Sequence, residues 1–195
     1  MEEEITIRKL VENDRKSVTA IFVEAYFNQL IKLDANPNKL EQIFYNAFLL
    51  DHFYGAFLNN ELVGFFALTN EKERCLKINK KDVCINILGI KGFFAYIALK
   101  KEFEHKIKLQ ESGFNIESVA TSKKHQGKGI ATKMMKYAME RNSYLELDVL
   151  DINKRAHNIY ERIGFKVFKE KSITPLFRSI VGYNKRIYMN YKKVF

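Results

Sequence analysis

The apolar positions of this chain switch repeatedly between two spacings. Residues 5–9, Ile-Thr-Ile-Arg-Lys, read as a first short strand. From Asn13 onward Val18, Ile21, Phe22, Ala25 and Tyr26 recur every three or four residues, which predicts a helix with one buried face. Asn36-Pro37 breaks that pattern. Asn38 with Glu41 three residues on resembles a capping box, so a second helix is expected to open there, with Leu40, Ile43, Phe44, Ala47 and Phe48 on its inner side. Two apolar runs, 53–58 and 61–68, flank Asn59-Asn60. Asparagine tolerates the positive φ of a tight turn, so the pair predicts a hairpin.

An interruption covers about 75–110. Within it, residues 83–99 are rich in apolar side chains but are broken by Asn86, Gly89, Lys91 and Gly92, and the run falls short of a membrane span. A helical insertion, buried or lying at an interface, is expected. Lys100, Lys101, Lys106 and Lys108 follow it and keep contact with a membrane surface open. Residues 115–122 read as the next strand. A helix led by Gly127 and Gly129 runs to about Arg141, with Ile130, Met134 and Ala138 as its stripe. Alternation at 144–150 predicts a half-buried strand. Asn153 is placed as an N-cap and Gly164 just past the end of the next helix. Strands at 165–171 and 186–192 close the chain, with Pro175 and Gly182 between them. The expected fold is α/β, one domain over 1–195, with seven strands in the order strand–helix–helix–three strands–helix–strand–helix–two strands.

Bulk properties narrow this only a little. An apolar content of 47% suffices for a core, and a net charge of +10 favours an anionic ligand, for which nucleic acid, a lipid surface and a phosphate-bearing cofactor all qualify. No nucleic-acid motif is present, so nucleic acid is not an expected partner. Cys75 and Cys84 make neither a disulfide framework nor a metal set, and no metal is expected. The acidic opening Met1-Glu2-Glu3-Glu4 is unlike a leader peptide, which favours a cytoplasmic location.

The chemistry concentrates at His125-Gln126-Gly127-Lys128-Gly129-Ile130-Ala131-Thr132, between a strand and a helix. Glycines let the backbone approach a ligand closely, and the free amides of a helix's first turn favour an anion. The segment lacks the spacing of a Walker loop. It fails the dinucleotide fingerprint at the third glycine, where Thr132 stands. It fits Q/R-x-x-G-x-G/A as Gln126, Gly129 and Ala131. Downstream, Asn153, Ala156, Tyr160, Gly164 and Phe165 fit N-x-x-A-x-x-x-Y-x-x-x-G-F. With these two linked motifs the chain resembles the GNAT superfamily of acetyl-CoA-dependent N-acetyltransferases. The close match spans roughly residues 115–168; upstream the likeness is of pattern only.

That resemblance implies a GNAT-like mixed sheet, partly splayed, with the helical insertion after the third strand as a departure. Acetyl-CoA would be the co-substrate, and a small-molecule or peptide amine the acceptor. The backbone at Val119 and Thr121 would pair with the pantetheine arm. Amides of Gln126, Gly127, Lys128, Gly129, Ile130 and Ala131 would hold the diphosphate, with Thr132 adding a hydroxyl and Asn153 lying beside the cofactor. Tyr160 corresponds to the tyrosine that protonates the departing thiolate. Glu117 and Asp148 are the candidate bases, Glu117 because it shares strand parity with Val119 and Thr121. The segment around Phe93 is expected to cover the cleft. A homodimer is compatible with the family. A CoA-binding regulator without turnover and a transferase of longer acyl groups are the alternatives.

Overall fold

Asn59 and Asn60 both adopt left-handed φ, 48° and 64°, and turn the chain between two antiparallel strands in the expected place. The computed structural model describes residues 4–174, 178 and 182–193. Along them run β1 (Ile5–Lys9), α1 (Arg15–Leu30), α2 (Pro37–Phe44), β2 (Phe53–Leu58), β3 (Glu61–Thr69), α3 (Lys80–Asn86) and α4 (Ile90–Glu104). There follow β4 (Phe114–Thr121), α5 (Ile130–Arg141), β5 (Tyr144–Leu150), α6 (Lys154–Arg162), β6 (Lys166–Ser172) and β7 (Lys185–Lys192). The strands form one sheet ordered β1-β2-β3-β4-β5-β7-β6. Only the β4–β5 pairing is parallel among those described. The mixed seven-stranded sheet and the helical insertion after β3 agree with the expected architecture. Pro175 lies outside the described residues.

One difference lies at the start of α2. Asn36, not Asn38, is the N-cap, and its side chain accepts the amide of Asn38 at 3.0 Å. Proline suits the first helical position, because its missing N–H would be unpaired there anyway. Pro37 therefore draws the helix start forward.

Side chains alternate across the sheet and supply two cores. Phe53, Phe57, Leu62 and Phe65 face a cluster built with α1, α2 and the insertion; Ala56, Leu58, Val63 and Phe66 face a second built with α5 and α6. On α5 the expected stripe of Ile130, Met134 and Ala138 is buried in the second core. No helix among the described residues is long and apolar enough to cross a membrane.

What positions the site is a defect in β4. Ser118 has φ of 54°, and Phe66 of β3 stands opposite two residues, because Phe65 pairs with Ala120 and Ala67 with Glu117. This is a β-bulge, which bends and twists the strand that carries it. β4 pairs with β5 only at Phe114, Asn115 and Ile116, opposite Leu145, Glu146 and Leu147. Beyond that β4 runs on to Thr121 unpaired on this side, while β5 stays with β7 up to Leu150. The sheet therefore forks between Glu117 and Asp148.

Candidate functional site

A cleft of about 520 Å³ opens at the fork. Val119 and Thr121 of β4, Gln126, Gly127, Gly129, Ile130, Ala131 and Thr132 of the loop and α5, Asn153 at the N-cap of α6 and Tyr160 within it all line it. Ten of the thirteen sequence-predicted site residues are thus brought together; Lys128, Glu117 and Asp148 are not in the wall.

The loop is built to leave donors free. Gly127 and Gly129 have φ of 86° and 76°, which glycine adopts without strain. No side chain caps α5, and the bond that enters it runs from the Lys133 amide to the Gly129 carbonyl. The amides of Ile130, Ala131 and Thr132 consequently have no acceptor among the described residues, as the first turn of a helix requires unless something caps it. A Cβ on Gly129 would meet nothing within 4 Å. The residues present therefore fit a bound diphosphate: donors converge on open space at the positive end of a helix dipole.

Arg155, which sequence reasoning passed over, completes this end. Its guanidinium lies 3.5 Å from the Gln126 side-chain oxygen and 3.7 Å from where a Cβ of Gly127 would be. Arg155, Asn158, Ile159 and Arg162 all line the cleft. Their spacing of three and four residues marks one face of α6 and was the available signal. Asn153 accepts the Ala156 amide at 3.2 Å, so its capping bond accounts for it without a ligand. His125 is held by Ser122 at 2.9 Å.

Two tyrosines meet in the gap from opposite faces of the sheet. Tyr26 of α1 donates to the Val119 carbonyl at 3.2 Å. That carbonyl keeps its second lone pair for another donor. Tyr160 packs on Phe165 with ring centroids 6.0 Å apart. Its hydroxyl makes no hydrogen bond to a described residue, yet it is not sealed from solvent. Burial, and then the nearby Asp148, push the Tyr160 phenol above its ordinary value, so it holds its proton at neutral pH.

The two carboxylates at the fork differ. The bulge defeats the parity argument for Glu117: Ile116 and Val119 face the α5 core, whereas Ala120 faces the other. Glu117 is clamped by Arg74, whose Nε and Nη2 donate at 2.6–3.0 Å, and by the Thr69 hydroxyl. Arg74 also donates to the His105 carbonyl at 2.9 Å, so this pair ties both ends of the insertion to β4. Asp148 has one oxygen on Arg186 at 3.1 Å and the other without a partner among the described residues. Arg186 in turn bonds Glu102 at 3.0 Å and the Tyr183 hydroxyl at 3.2 Å. Desolvation raises the Asp148 carboxyl; Arg186 opposes this, and Glu102 and Glu117 reinforce it.

A raised carboxyl binds more protons folded than unfolded between its unfolded pKa, about 4, and its folded value. Its contribution to stability therefore falls as pH rises through that window, and the full cost persists above it. Asp148→Asn, which cannot ionise, should melt above the wild type at pH 7, with the gap closing near pH 4. A variant that melts lower at pH 7 would reverse the sign of this argument.

Among the described residues no group of three or more His, Cys, Asp or Glu side chains is arranged to hold a metal.

Comparison with known proteins bears on this geometry. A family model described as the Acetyltransferase (GNAT) family matches residues 16–165. No curated protein sequence matches. Among solved structures, an N-acetyltransferase from Staphylococcus aureus Mu50 superposes with a TM-score of 0.64 at 16% identity, covering 95% of this chain and 100% of its own. A GNAT-family acetyltransferase from Streptococcus agalactiae gives 0.60 at 14% identity, with 98% and 96% covered. The ribosomal-protein-S18-alanine N-acetyltransferase of Escherichia coli gives 0.55 at 14% identity, with 98% and 96% covered. At such identities the structures establish shared fold, and the family model, which spans most of the chain, establishes kinship. The chain belongs to the GNAT acetyltransferase family.

Proposed function

We propose that this protein moves the acetyl group of acetyl-CoA directly to a primary amine of a small molecule or peptide. One observation carries the reading: unpartnered amides at the start of α5 and the free hydroxyl of Tyr160 open onto the same cleft. A diphosphate at the first and a thioester near the second is the arrangement this supports. Val119 and Thr121 offer strand-edge groups to the arm between them. In the reaction the amine nitrogen bonds the acetyl carbon, the carbon–sulfur bond breaks, the nitrogen loses a proton and the sulfur gains one.

Asp148 is our base. It has a free oxygen and a raised pKa, whereas the lone pairs of Glu117 are committed to Arg74 and Thr69. An acidic limb in the pH profile of kcat/KM that disappears in Asp148→Asn but survives in Glu117→Gln supports this assignment. Survival in both variants would favour a water path.

Arg155 adds positive charge beside the loop. A charged hydrogen bond contributes about 1.5–3 kcal/mol, so Arg155→Ala should weaken cofactor binding about 10-fold or more. Its side chain is exposed, so melting without ligand should not move. Isothermal titration and a thermal scan check the two halves.

The reading as a whole is tested by thermal shift with acetyl-CoA, CoA and ATP, followed by thiol release over a panel of amines. Stabilisation by acetyl-CoA and CoA, with thiol release on at least one amine, is expected. No shift with either thioester or thiol would overturn it.

A further inference from the structure

α4 carries two apolar stripes, and the fold uses only one. Gly92 and Leu99 are buried, and Ala95, Tyr96 and Phe103 pack on the first core. On the opposite side Ile90, Phe93, Phe94 and Ile97 are 73, 45, 61 and 45% exposed. Ile85 of α3 and Leu88 of the connecting turn extend this stripe at 61 and 79%. The expected cover over the cleft is absent, since neither Phe93 nor Phe94 lines it. The stripe is presented rigidly: a Cβ on Gly92 would fall 1.9 Å from the Ile87 carbonyl oxygen, so the turn between α3 and α4 is held backbone to backbone.

The surroundings say what would cover it. Lys80, Lys81, Lys91, Lys100 and Lys101 are all exposed around the stripe, and the Lys80 ammonium sits 5.5 Å from the Phe93 ring centre. The acidic residues of the same segment are engaged with the protein: Asp82 with Asn46, Glu102 with Arg186, and Glu104 with the Ile78 amide and, at 3.9 Å, with Lys100, which leaves Lys80, Lys81, Lys91 and Lys101 as the charge of this face. A second copy docked on this face by a two-fold axis would set lysines against lysines. An anionic bilayer accepts both features, apolar side chains at the acyl boundary and ammonium groups at the phosphates. At ~1.5 Å per residue α4 is about 22 Å long, too short to cross a ~30 Å hydrocarbon core, so it would lie in the interface.

We propose that the outer face of α3 and α4 docks this protein on an anionic lipid surface.

The test is co-sedimentation of the full chain with phosphatidylglycerol–phosphatidylcholine vesicles and with phosphatidylcholine alone. Binding to the anionic vesicles, falling with salt and weak on neutral ones, is expected. Leu88→Ser/Ile90→Ser/Phe94→Ser should abolish it while leaving melting unchanged, because these side chains are already exposed. At roughly a factor of five per lysine, Lys91→Gln/Lys101→Gln should weaken it about 25-fold. The chain has no tryptophan, so Phe94→Trp is a single reporter whose emission should shift to the blue on anionic vesicles. Overturning results would be no anionic binding, undiminished binding by the triple serine variant, or a dimer that this variant splits while vesicles are ignored. The last would assign the face to a second copy.

Discussion

Gly129→Glu should abolish acetyl-CoA binding, measured as loss of the thermal shift and of calorimetric heat. Gly129 has φ of 76°, and a side chain there meets no protein atom within 4 Å. The fold has room for the added atoms, so beyond the backbone strain that any side chain meets at this φ the conflict falls on the ligand: a carboxylate would occupy the space onto which the Ile130, Ala131 and Thr132 amides open. Like-charge juxtaposition costs several kcal/mol, so affinity should fall at least ~100-fold. Gly129→Ala separates the causes. It carries only the strain of a non-glycine residue in the left-handed region, of order 1–3 kcal/mol, and should cost stability while keeping measurable binding. Wild-type affinity in the glutamate variant would remove the phosphate site from this loop.

Much of this fold could be read from residue order because local signals agreed with the global answer. Asn59-Asn60 specified a turn by backbone tolerance, the α5 stripe by spacing, and Asn153 with Gly164 the two ends of α6. The loop's free amides were also legible, since glycines at a helix start without a capping side chain leave few other outcomes. What escaped was tertiary. Nothing in Asn115-Ile116-Glu117-Ser118 signals a bulge, because serine has no preference for φ near 54°. One residue in that conformation reverses the facing of everything before it, and a parity argument for Glu117 cannot survive this. The Arg74–Glu117 clamp is equally invisible, joining residues 43 positions apart. Arg155 was inside a recognised motif, yet its contact with Gln126 exists only once α6 returns to the loop. The second apolar stripe of α4 shows the same limit: its spacing is that of a buried face, yet Phe94 is 61% exposed, and periodicity alone does not distinguish the two.

Tyr160→Phe should lower kcat by roughly 10- to 1000-fold, the usual range for losing a proton donor, with KM for acetyl-CoA little changed. The substitution is close to silent structurally. It keeps the ring against Phe165 and removes a hydroxyl that no described residue uses, so no buried partner is left unsatisfied. Desolvation and the charge of Asp148 raise the phenol, which keeps the proton on Tyr160 at neutral pH and makes its full transfer to a thiolate, the weaker base, unfavourable. The gain from Tyr160 must then appear as negative charge builds on sulfur, where a hydrogen bond strengthens in a site of low dielectric. Replacing the thioester with an activated ester of lower leaving-group pKa should shrink the defect, because a better leaving group needs less help. A large defect independent of the leaving group would point to positioning of the acyl carbon rather than protonation. Unchanged turnover with acetyl-CoA would take Tyr160 out of the reaction altogether.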